Sequence, residues 1–336
     1  MNTAEIYLLG RKCLKIPSRF AISNKDYIKA VFGLLNTGWA SEKVEFVIGC
    51  YSRSILPVYI ENTGVIVDIH YIELLGDLEQ WHRTKDNRLL ESMYFKYLKS
   101  IALAHSNNPK AAFYEWLISE KGYAVQPFSV DDYKMAFLVN SMAAFHESAH
   151  FVNGYEEFGA LFEEYIAHDP YFKERSQNYM EKLKRESECD FMGIYLLTKV
   201  GNSIPQEQIV ELYFRMIVGN CFYKTCELHF NGIYDDQEEV FGYIDRANVI
   251  VRFLNGMGRQ TFPGLDMKSV SLEALHGFPD GLQHLSEFIP VDLKVLIDEY
   301  NTLPESYKTN LYHELIKQEK KLFAQREYDI YPIEKQ

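Results

Sequence analysis

Three residues near the middle of the chain have the types and spacing of a metal site. His146, Glu147 and His150 form the pattern His-Glu-x-x-His within residues 142–152. Residues four apart lie on one face of a helix, so both imidazoles can point a ring nitrogen at the same metal ion. Two neutral imidazoles leave a zinc ion strongly Lewis acidic, and the intervening carboxylate can take a proton from an activated water. The pattern predicts zinc held by His146 and His150, with Glu147 as general base.

The same residues also allow a purely structural interpretation, in which an amphipathic helix uses its two histidines for hydrogen bonds in the core. The neighbouring residues are uncharged, which suits a helix buried beneath a cleft: Ala143, Ala144, Ser148, Ala149, Phe151 and Val152. Burying two histidines and a carboxylate without a metal to pair with them would be costly. The metal interpretation is therefore favoured.

A catalytic zinc needs a third protein ligand, and Glu186 is the candidate. Glu186 and Asp190 share a helix face at the four-residue spacing. Glu186 can therefore bind the metal while Asp190 accepts a hydrogen bond from the remaining N–H of a ligating histidine. Glu188 points about 160° away from Glu186 and is expected to face solvent. His229 is the alternative ligand if Glu186 does not bind.

The elements that must position these residues begin with a mixed N-terminal part. Residues 24–35 are expected to be helical. Residues 44–51, 56–60 and 65–75 are rich in β-branched and aromatic residues and are separated by turn-like segments. We expect a small antiparallel sheet here. Its edge could hold an extended peptide, or the sheet could be purely structural.

After Trp81 the hydrophobic pattern becomes helical. Helices are expected over residues 88–104, 109–119, 130–153, 171–200, 205–230, 240–254, 291–301 and 304–325, with helical character also at 156–168. The predicted class is α+β and mostly α-helical. The whole chain, 1–336, is expected to form a single compact unit, in which 1–80 contain the sheet, 81–327 form the helical part and 328–336 form a loose tail.

Composition excludes several classes of function. The 336 residues carry a formal net charge of −12, which argues against a nucleic-acid surface. The five cysteines are scattered, as expected of reduced thiols in the cytoplasm. The N-terminus lacks the order of a secretory signal, and no apolar run is long enough to span a membrane. We therefore expect a soluble, cytoplasmic protein that binds neither nucleic acid nor a membrane.

Two segments together resemble a known group of enzymes. His-Glu-Ser-Ala-His at 146–150 and Arg-Glu-Ser-Glu-Cys-Asp-Phe-Met-Gly at 185–193 are similar to the two motifs of the gluzincin zinc metallopeptidases. The resemblance covers about 50 residues. It implies a zincin-like core with an active-site helix, in which His146, His150 and Glu186 bind zinc, Glu147 is the base and Asp190 supports a ligand. Among soluble members, the chain resembles the phage-exclusion Lit-type peptidases more than the regulatory ImmA/IrrE-type peptidases.

Some gluzincins also carry a His-Pro pair and a later arginine in the active site. This chain has no matching His-Pro pair, so Arg246 and Arg252 are better explained as ion-pair residues than as oxyanion donors. A tetrahedral oxyanion needs a hydrogen-bond donor besides the metal. The candidate donors are Tyr155, Tyr195, His229 and Tyr243.

The leading expectation is a zinc-dependent endopeptidase that cuts a specific protein or peptide substrate. The alternatives are a regulatory or binding protein with a structural or inactive zinc site, and a zinc hydrolase of a small molecule. The sequence identifies neither the substrate nor an activating partner.

Overall fold

The structure is a computed structural model, and it describes most of the chain between residues 46 and 332. The described residues are 46–50, 59–61, 64–105, 108–127, 129–150, 157–200, 204, 206–233, 238–256, 293–323 and 329–332. The helix predicted at 24–35 lies outside them.

Ten α-helices and four short strands are described. The strands are β1 (Phe46–Cys50), β2 (Tyr59–Glu61), β3 (Gly64–Asp68) and β4 (Asp329–Pro332). The helices are α1 (Ile69–Thr84), α2 (Asn87–Ala104), α3 (Lys110–Ser119), α4 (Val130–Ala149), α5 (Phe158–Phe162), α6 (Gln177–Val200), α7 (Gln206–Phe230), α8 (Glu238–Gly256), α9 (Leu293–Thr302) and α10 (Glu305–Phe323). A π-helical turn (Glu163–Ala167) and a 3-10 turn (Pro170–Phe172) connect α5 to α6.

Helix α4 lies at the centre of the fold. It packs against α1, α6 and α7, while α8 packs against α6 and α7. Its sequence explains this position, because apolar residues occur around most of the helix instead of along one stripe. Buried side chains of α4 include Ala136, Val139, Met142, Ala144 and Phe145. The His-Glu-x-x-His segment is therefore carried by a helix surrounded by other helices.

The predicted α+β class with a small N-terminal antiparallel sheet is wrong. From Ile69 to Phe323 every regular element that the structure describes is a helix, so this part of the fold is all-helical. The strands, described by their backbone alone, do not form the predicted arrangement either. Their order is β2-β3-β1-β4, with β1 and β3 parallel. Strand β4 lies in the segment predicted to be a loose tail and pairs with β1.

The main error at the level of single elements concerns residues 65–75. Only the first part of this predicted strand is extended, and helix α1 begins at Ile69. Asp68 caps α1 by accepting a hydrogen bond from the backbone N–H of His70 at 2.9 Å. Tyr71, Leu75 and Leu78 then recur at helical spacing and are buried. The β-branched residues before Asp68 favoured a strand, so the change to helical spacing of the apolar residues after Asp68 was not recognised.

Most of the later helices agree with the prediction to within a few residues. The exceptions are the start of α6, which follows the 3-10 turn at Pro170–Phe172, and the end of α4. Helix α4 ends at Ala149, and the expected stop near residues 153–154 lies outside the described residues. Within the described ranges, no helix is both long and apolar enough to cross a membrane.

Gly193 allows α6 to approach α4 closely. A Cβ atom at Gly193 would lie 2.9 Å from Met142 Cε and 3.1 Å from the backbone nitrogen of His146. The backbone of α4 cannot move out of the way as a flexible side chain could. Glycine at this position therefore sets the distance between the two helices that carry the metal-site candidates.

We expect Gly193→Ala to lower the free energy of unfolding by about 1–3 kcal/mol, because the added methyl overpacks the contact between α4 and α6. Gly242→Ala is the matched control, since a Cβ at Gly242 in α8 would meet nothing within 4 Å. The control should be neutral or stabilising by up to about 1 kcal/mol through helix propensity. Urea denaturation measures both. Equal stability of the two variants would contradict the close packing described here.

Candidate metal centre

The last turn of α4 brings His146, Glu147 and His150 together as their spacing predicts. The two imidazole rings are 5.2 Å apart between centroids and nearly perpendicular, at 86°. His146 is buried, whereas Glu147 and His150 are half-buried. One donor atom from each residue lies within 4.8 Å of the others. The group could hold a metal ion.

Glu186 reaches the same point from helix α6. One of its carboxylate oxygens is 3.5 Å from His146 Nε2, and the other is 4.0 Å from His150 Nε2. Around a tetrahedral zinc with ligand bonds of about 2.0–2.1 Å, neighbouring ligand atoms are roughly 3.3 Å apart. The two distances to Glu186 are longer than this and involve different oxygens, so the carboxylate would have to move closer to both imidazoles to share a metal with them. The chemistry of the donors, two imidazoles and a carboxylate, fits a zinc ion.

Glu147 is the other carboxylate in reach of a metal at this point. Its Oε1 atom is 4.0 Å from His146 Nε2. Distance alone therefore allows either Glu147 or Glu186 to complete the ligand set. The two differ in origin, because Glu147 belongs to the same helical turn as His146, whereas Glu186 comes from a second helix and contacts both imidazoles.

Asp190 is fully buried and holds His146 in place. Its Oδ1 atom lies 2.8 Å from His146 Nδ1 and accepts a hydrogen bond of 2.6 Å from Arg246 Nη2. Its Oδ2 atom accepts hydrogen bonds from Arg246 Nε at 2.8 Å and from the Tyr213 hydroxyl at 3.1 Å. These contacts fill the acceptor capacity of a carboxylate. Because Nδ1 of His146 faces Asp190, its Nε2 is directed to the candidate metal position.

The charges of this network shift the pKa values of its members. Burial and the charge of Arg246 lower the pKa of His146, but the Asp190 and Glu186 carboxylates outweigh them and raise it to about 9. Burial raises the pKa of Glu186, but the contact with His146 and the charge of Arg246 lower it to about 2. Burial likewise opposes ionisation of Asp190, and Arg246 and His146 nevertheless hold its pKa well below the usual range. Both carboxylates therefore stay ionised at neutral pH.

Glu147 has the opposite environment. Burial raises its pKa to about 7, and the opposing charge of His146 does not compensate. A group with this pKa can accept and return a proton near neutral pH, as a general base must.

Tyr71 is a neighbour of Glu147 that the sequence analysis missed. It is buried, and its hydroxyl donates a hydrogen bond to Asn220. Burial, followed by the proximity of Tyr243, Tyr223 and Glu147, raises the pKa of this hydroxyl well above its usual value. Only the helical register of α1, which was predicted as a strand, could have revealed it.

His150 is held differently from His146. Its Nδ1 lies 3.3 Å from the sulfur of Cys189, a buried thiol on α6. Burial raises the pKa of Cys189 well above its usual value. A thiol sulfur is a weak acceptor, so it orients His150 less firmly than Asp190 orients His146. The position of Cys189 next to Asp190 in the second motif was the available signal, and the sequence analysis did not use it.

The three candidate oxyanion donors that the structure describes lie on three different helices. Tyr243 lines a cleft next to Glu186, and its ring lies 5.4 Å from the guanidinium carbon of Arg246. Tyr195 is nine residues beyond Glu186 on α6, which places it on the opposite helix face. Tyr155 lies outside the described residues. Of the four, the geometry favours Tyr243.

His229 belongs to a different part of the molecule. It lines a second cleft of about 600 Å³, and its Nδ1 is 3.1 Å from the Tyr94 hydroxyl. Among the described residues, the potential metal group comprises His146, Glu147 and His150, so it includes neither His229 nor Glu186. The structure therefore does not place this histidine where it could replace Glu186.

Both arginines of α8 form ion pairs, as the sequence analysis favoured. Arg246 pairs with buried Asp190, and one of its nitrogens also lies 3.5 Å from Glu186. Arg252 pairs with Asp169 through Nε at 2.5 Å, where both side chains are about one quarter exposed. The two pairs thus differ mainly in burial.

We expect Arg246→Met to cost about 3–5 kcal/mol of stability, because it leaves the Asp190 carboxylate buried without its main partner. Arg252→Met is the matched control on the same helix. It should cost at most about 1 kcal/mol, since its ion pair is partly solvated. Thermal and urea unfolding measure both. A similar loss of stability in the two variants would show that the strength of the Arg246–Asp190 ion pair does not depend on its burial.

Protonation of His229 is expected to contribute to the pH dependence of folding stability. Burial lowers its pKa from 6.5 to about 4, so the folded state keeps it neutral. As the pH falls below 6.5, the unfolded chain binds a proton first, and folding stability is lost progressively down to about pH 4. This histidine should cost roughly 1–2 kcal/mol at pH 5 relative to pH 7.

His229→Gln should therefore lose less stability than the wild type between pH 7 and pH 5. The exposed His313 on α10 supplies the control, because His313→Gln should keep the wild-type pH dependence. Melting temperatures at the two pH values give the comparison. Parallel pH profiles for all three proteins would contradict a buried neutral His229.

Comparison of the chain with protein-family models, curated proteins and solved structures finds no match in any of the three. The geometry of the cluster is therefore the basis for inferring what the protein does.

Proposed function

We propose that the protein is a zinc-dependent peptidase of the gluzincin type, with His146, His150 and Glu186 as ligands and Glu147 as general base. The observation that carries the proposal is the position of Glu186. Its two oxygens lie 3.5 and 4.0 Å from the Nε2 atoms of the two motif histidines. The sequence pattern supplied the histidines, and a separate helix supplies a carboxylate within 4.0 Å of both imidazoles, which supports the proposal.

Zinc is the metal that this donor set favours. Two imidazoles and one carboxylate form a ligand set of catalytic zinc sites, in which a further position stays open. Glu186 is the preferred third ligand because it spans both imidazoles and is ionised, whereas Glu147 has a pKa of about 7. This division leaves Glu147 available for proton transfer.

The residues around the metal position have separable roles in hydrolysis. Bound zinc would supply Lewis-acid activation of water and of the scissile carbonyl. Glu147 takes the proton from the attacking water and can return it to the departing amine. In the metal-free protein the pKa of His146 is about 9, so its Nε2 would have to lose a proton for zinc to bind, while Asp190 would keep the other proton on Nδ1. Tyr243 is the candidate donor to the oxyanion, since it lines the cleft beside Glu186.

The alternative of a regulatory protein with an inert zinc site has less support. An inert site has no need for a carboxylate with a pKa of about 7 beside the metal position. A cleft of about 620 Å³ also opens beside Glu186, large enough for a peptide segment or a small molecule. Peptide hydrolysis is preferred to a small-molecule reaction because of the two-motif resemblance to gluzincins.

Metal content tests the proposal first. Wild-type protein is expected to bind about one zinc per chain after reconstitution and dialysis. Glu186→Ala should weaken zinc binding by a factor of about 10–100 or more, because a ligand is lost. Glu188→Ala is the matched control, since this residue projects from a different face of α6. Zinc competition with a chromophoric chelator gives the affinities.

Glu147→Gln separates catalysis from metal binding. The variant should keep its zinc and lose at least about a hundredfold in cleavage of a peptide or protein that the wild type cuts. Cleavage is followed by mass spectrometry of new termini in a proteome digest. Unchanged cleavage by Glu147→Gln would contradict the assignment of Glu147 as the general base. A wild-type protein that holds less than half an equivalent of zinc would contradict the proposal of a zinc enzyme.

A further inference from the structure

The cleft beside Glu186 has features that indicate which substrates it accepts. We call it the α6–α8 cleft, because it lies among α6, α7, α8 and the residue before α6. It has a volume of about 620 Å³. Glu186 and Arg246 line the cleft, so it adjoins the candidate metal position, although His146, Glu147 and His150 are not among its lining residues.

The charge of the cleft is opposite to that of the whole protein. The chain has a net charge of −12, yet the described residues that line this cleft include three cationic side chains and one acidic residue, Glu186. The charge of Arg246 is largely balanced by buried Asp190. Lys224 pairs with Glu227 at 2.6 Å, so the remaining positive character comes mainly from Lys182.

The two lysines differ in their own partners. Lys182 is exposed, and no ion pair to it occurs within the described ranges. Lys224 is about one fifth exposed and pairs with Glu227, which does not line the cleft, at 2.6 Å. Lys224 also lies close enough to Tyr243 for its charge to lower the pKa of that hydroxyl, against the larger opposite effect of burial. Both ammonium groups are thus near the wall where a substrate would lie.

Uncharged hydrogen-bonding groups occupy much of the remaining wall. Ser176, Asn178 and three tyrosines contribute them, while Leu183 is the aliphatic exception. One of these tyrosines is already engaged, because the Tyr179 hydroxyl donates a hydrogen bond of 2.6 Å to Asp245. The wall therefore offers hydrogen-bonding groups together with a larger apolar surface.

We infer that the α6–α8 cleft selects peptide substrates by a carboxylate placed next to the bond that is cut. The inference rests on the proposed peptidase function. A carboxylate can come from an acidic side chain or from the C-terminus of the peptide, and the cleft would recognise their shared chemistry. A long polyanion is a poor candidate, because the net charge of −12 on the protein would repel it.

Binding to an inactive variant tests the inference without turnover. Zinc-loaded Glu147→Gln is titrated with fluorescent hexapeptides that are C-terminally amidated and differ at one central position, which is Glu, Gln or Lys. A fourth peptide carries the Gln centre and a free C-terminal carboxylate. Fluorescence anisotropy gives the dissociation constants. We expect the Glu peptide, the free-acid peptide or both to bind about 3–10-fold more tightly than the amidated Gln peptide, with the Lys peptide weakest.

Charge reversal then assigns the preference to the cleft. Lys182→Glu, added to Glu147→Gln, should abolish the preference for the carboxylate. The matched control is Lys294→Glu on α9, which changes the net charge equally but does not line the cleft. Lys224→Gln is a second variant inside the cleft and should weaken the preference. The Glu and free-acid peptides distinguish a side-chain carboxylate from a terminal one.

Several results would overturn the inference. These are equal binding of the Glu, Gln and free-acid peptides, tightest binding of the Lys peptide, an equal effect of Lys294→Glu, or no measurable binding of any peptide. Failure of the proposed function gives a different result, in which zinc is not held and nothing is cut, while metal-free protein still prefers carboxylate peptides through Lys182. If neutral or basic peptides are cleaved and Lys182→Glu does not change that cleavage, the proposed peptidase function stands, but selection of a carboxylate by the cleft is contradicted.

Discussion

The arrangement of the helices depends on the contacts that the buried carboxylate of Asp190 makes with its partners. It belongs to α6, and its partners His146, Tyr213 and Arg246 belong to α4, α7 and α8. An ionised carboxylate loses several kcal/mol of solvation when it is buried, and it is tolerated only if its lone pairs are satisfied. Here every partner comes from a different helix. The four helices must therefore keep their relative register, or a buried charge is left without a partner.

This constraint acts unequally on the two motif histidines. His146 is buried and fixed by a charged hydrogen-bond acceptor, whereas half-buried His150 contacts the thiol of Cys189. Gly193 lies less than one turn beyond Asp190 and lets the two helices come together at His146. The candidate metal position is consequently most rigid on the His146 side. Glu186, one turn before Asp190 on the same helix, is positioned by the same contact.

The sequence revealed the parts of the site that depend on local spacing. His146 in α4 and His150 directly after its end are four residues apart, as are Glu186 and Asp190 in α6, and the structure brings the two pairs together. Periodicity could not reveal partners that only tertiary packing supplies. Arg246 is 56 residues from Asp190, and an isolated arginine has no pattern that identifies its partner. The sheet was assigned wrongly for a related reason, because β-branched runs predict extended backbone but not which strands pair or in which direction.

Two glutamates in the same cluster have pKa values shifted in opposite directions, which is the arrangement that acid–base chemistry requires. Glu186 contacts His146 and Arg246, and its pKa falls to about 2, while burial raises that of Glu147 to about 7. The difference arises from geometry, because Glu186 is hydrogen-bonded to His146 and, with a smaller effect, lies 3.5 Å from Arg246. The residues that pair with Asp190 thus also keep Glu186 ionised. Glu147, which has no comparable cation, remains able to exchange a proton at neutral pH.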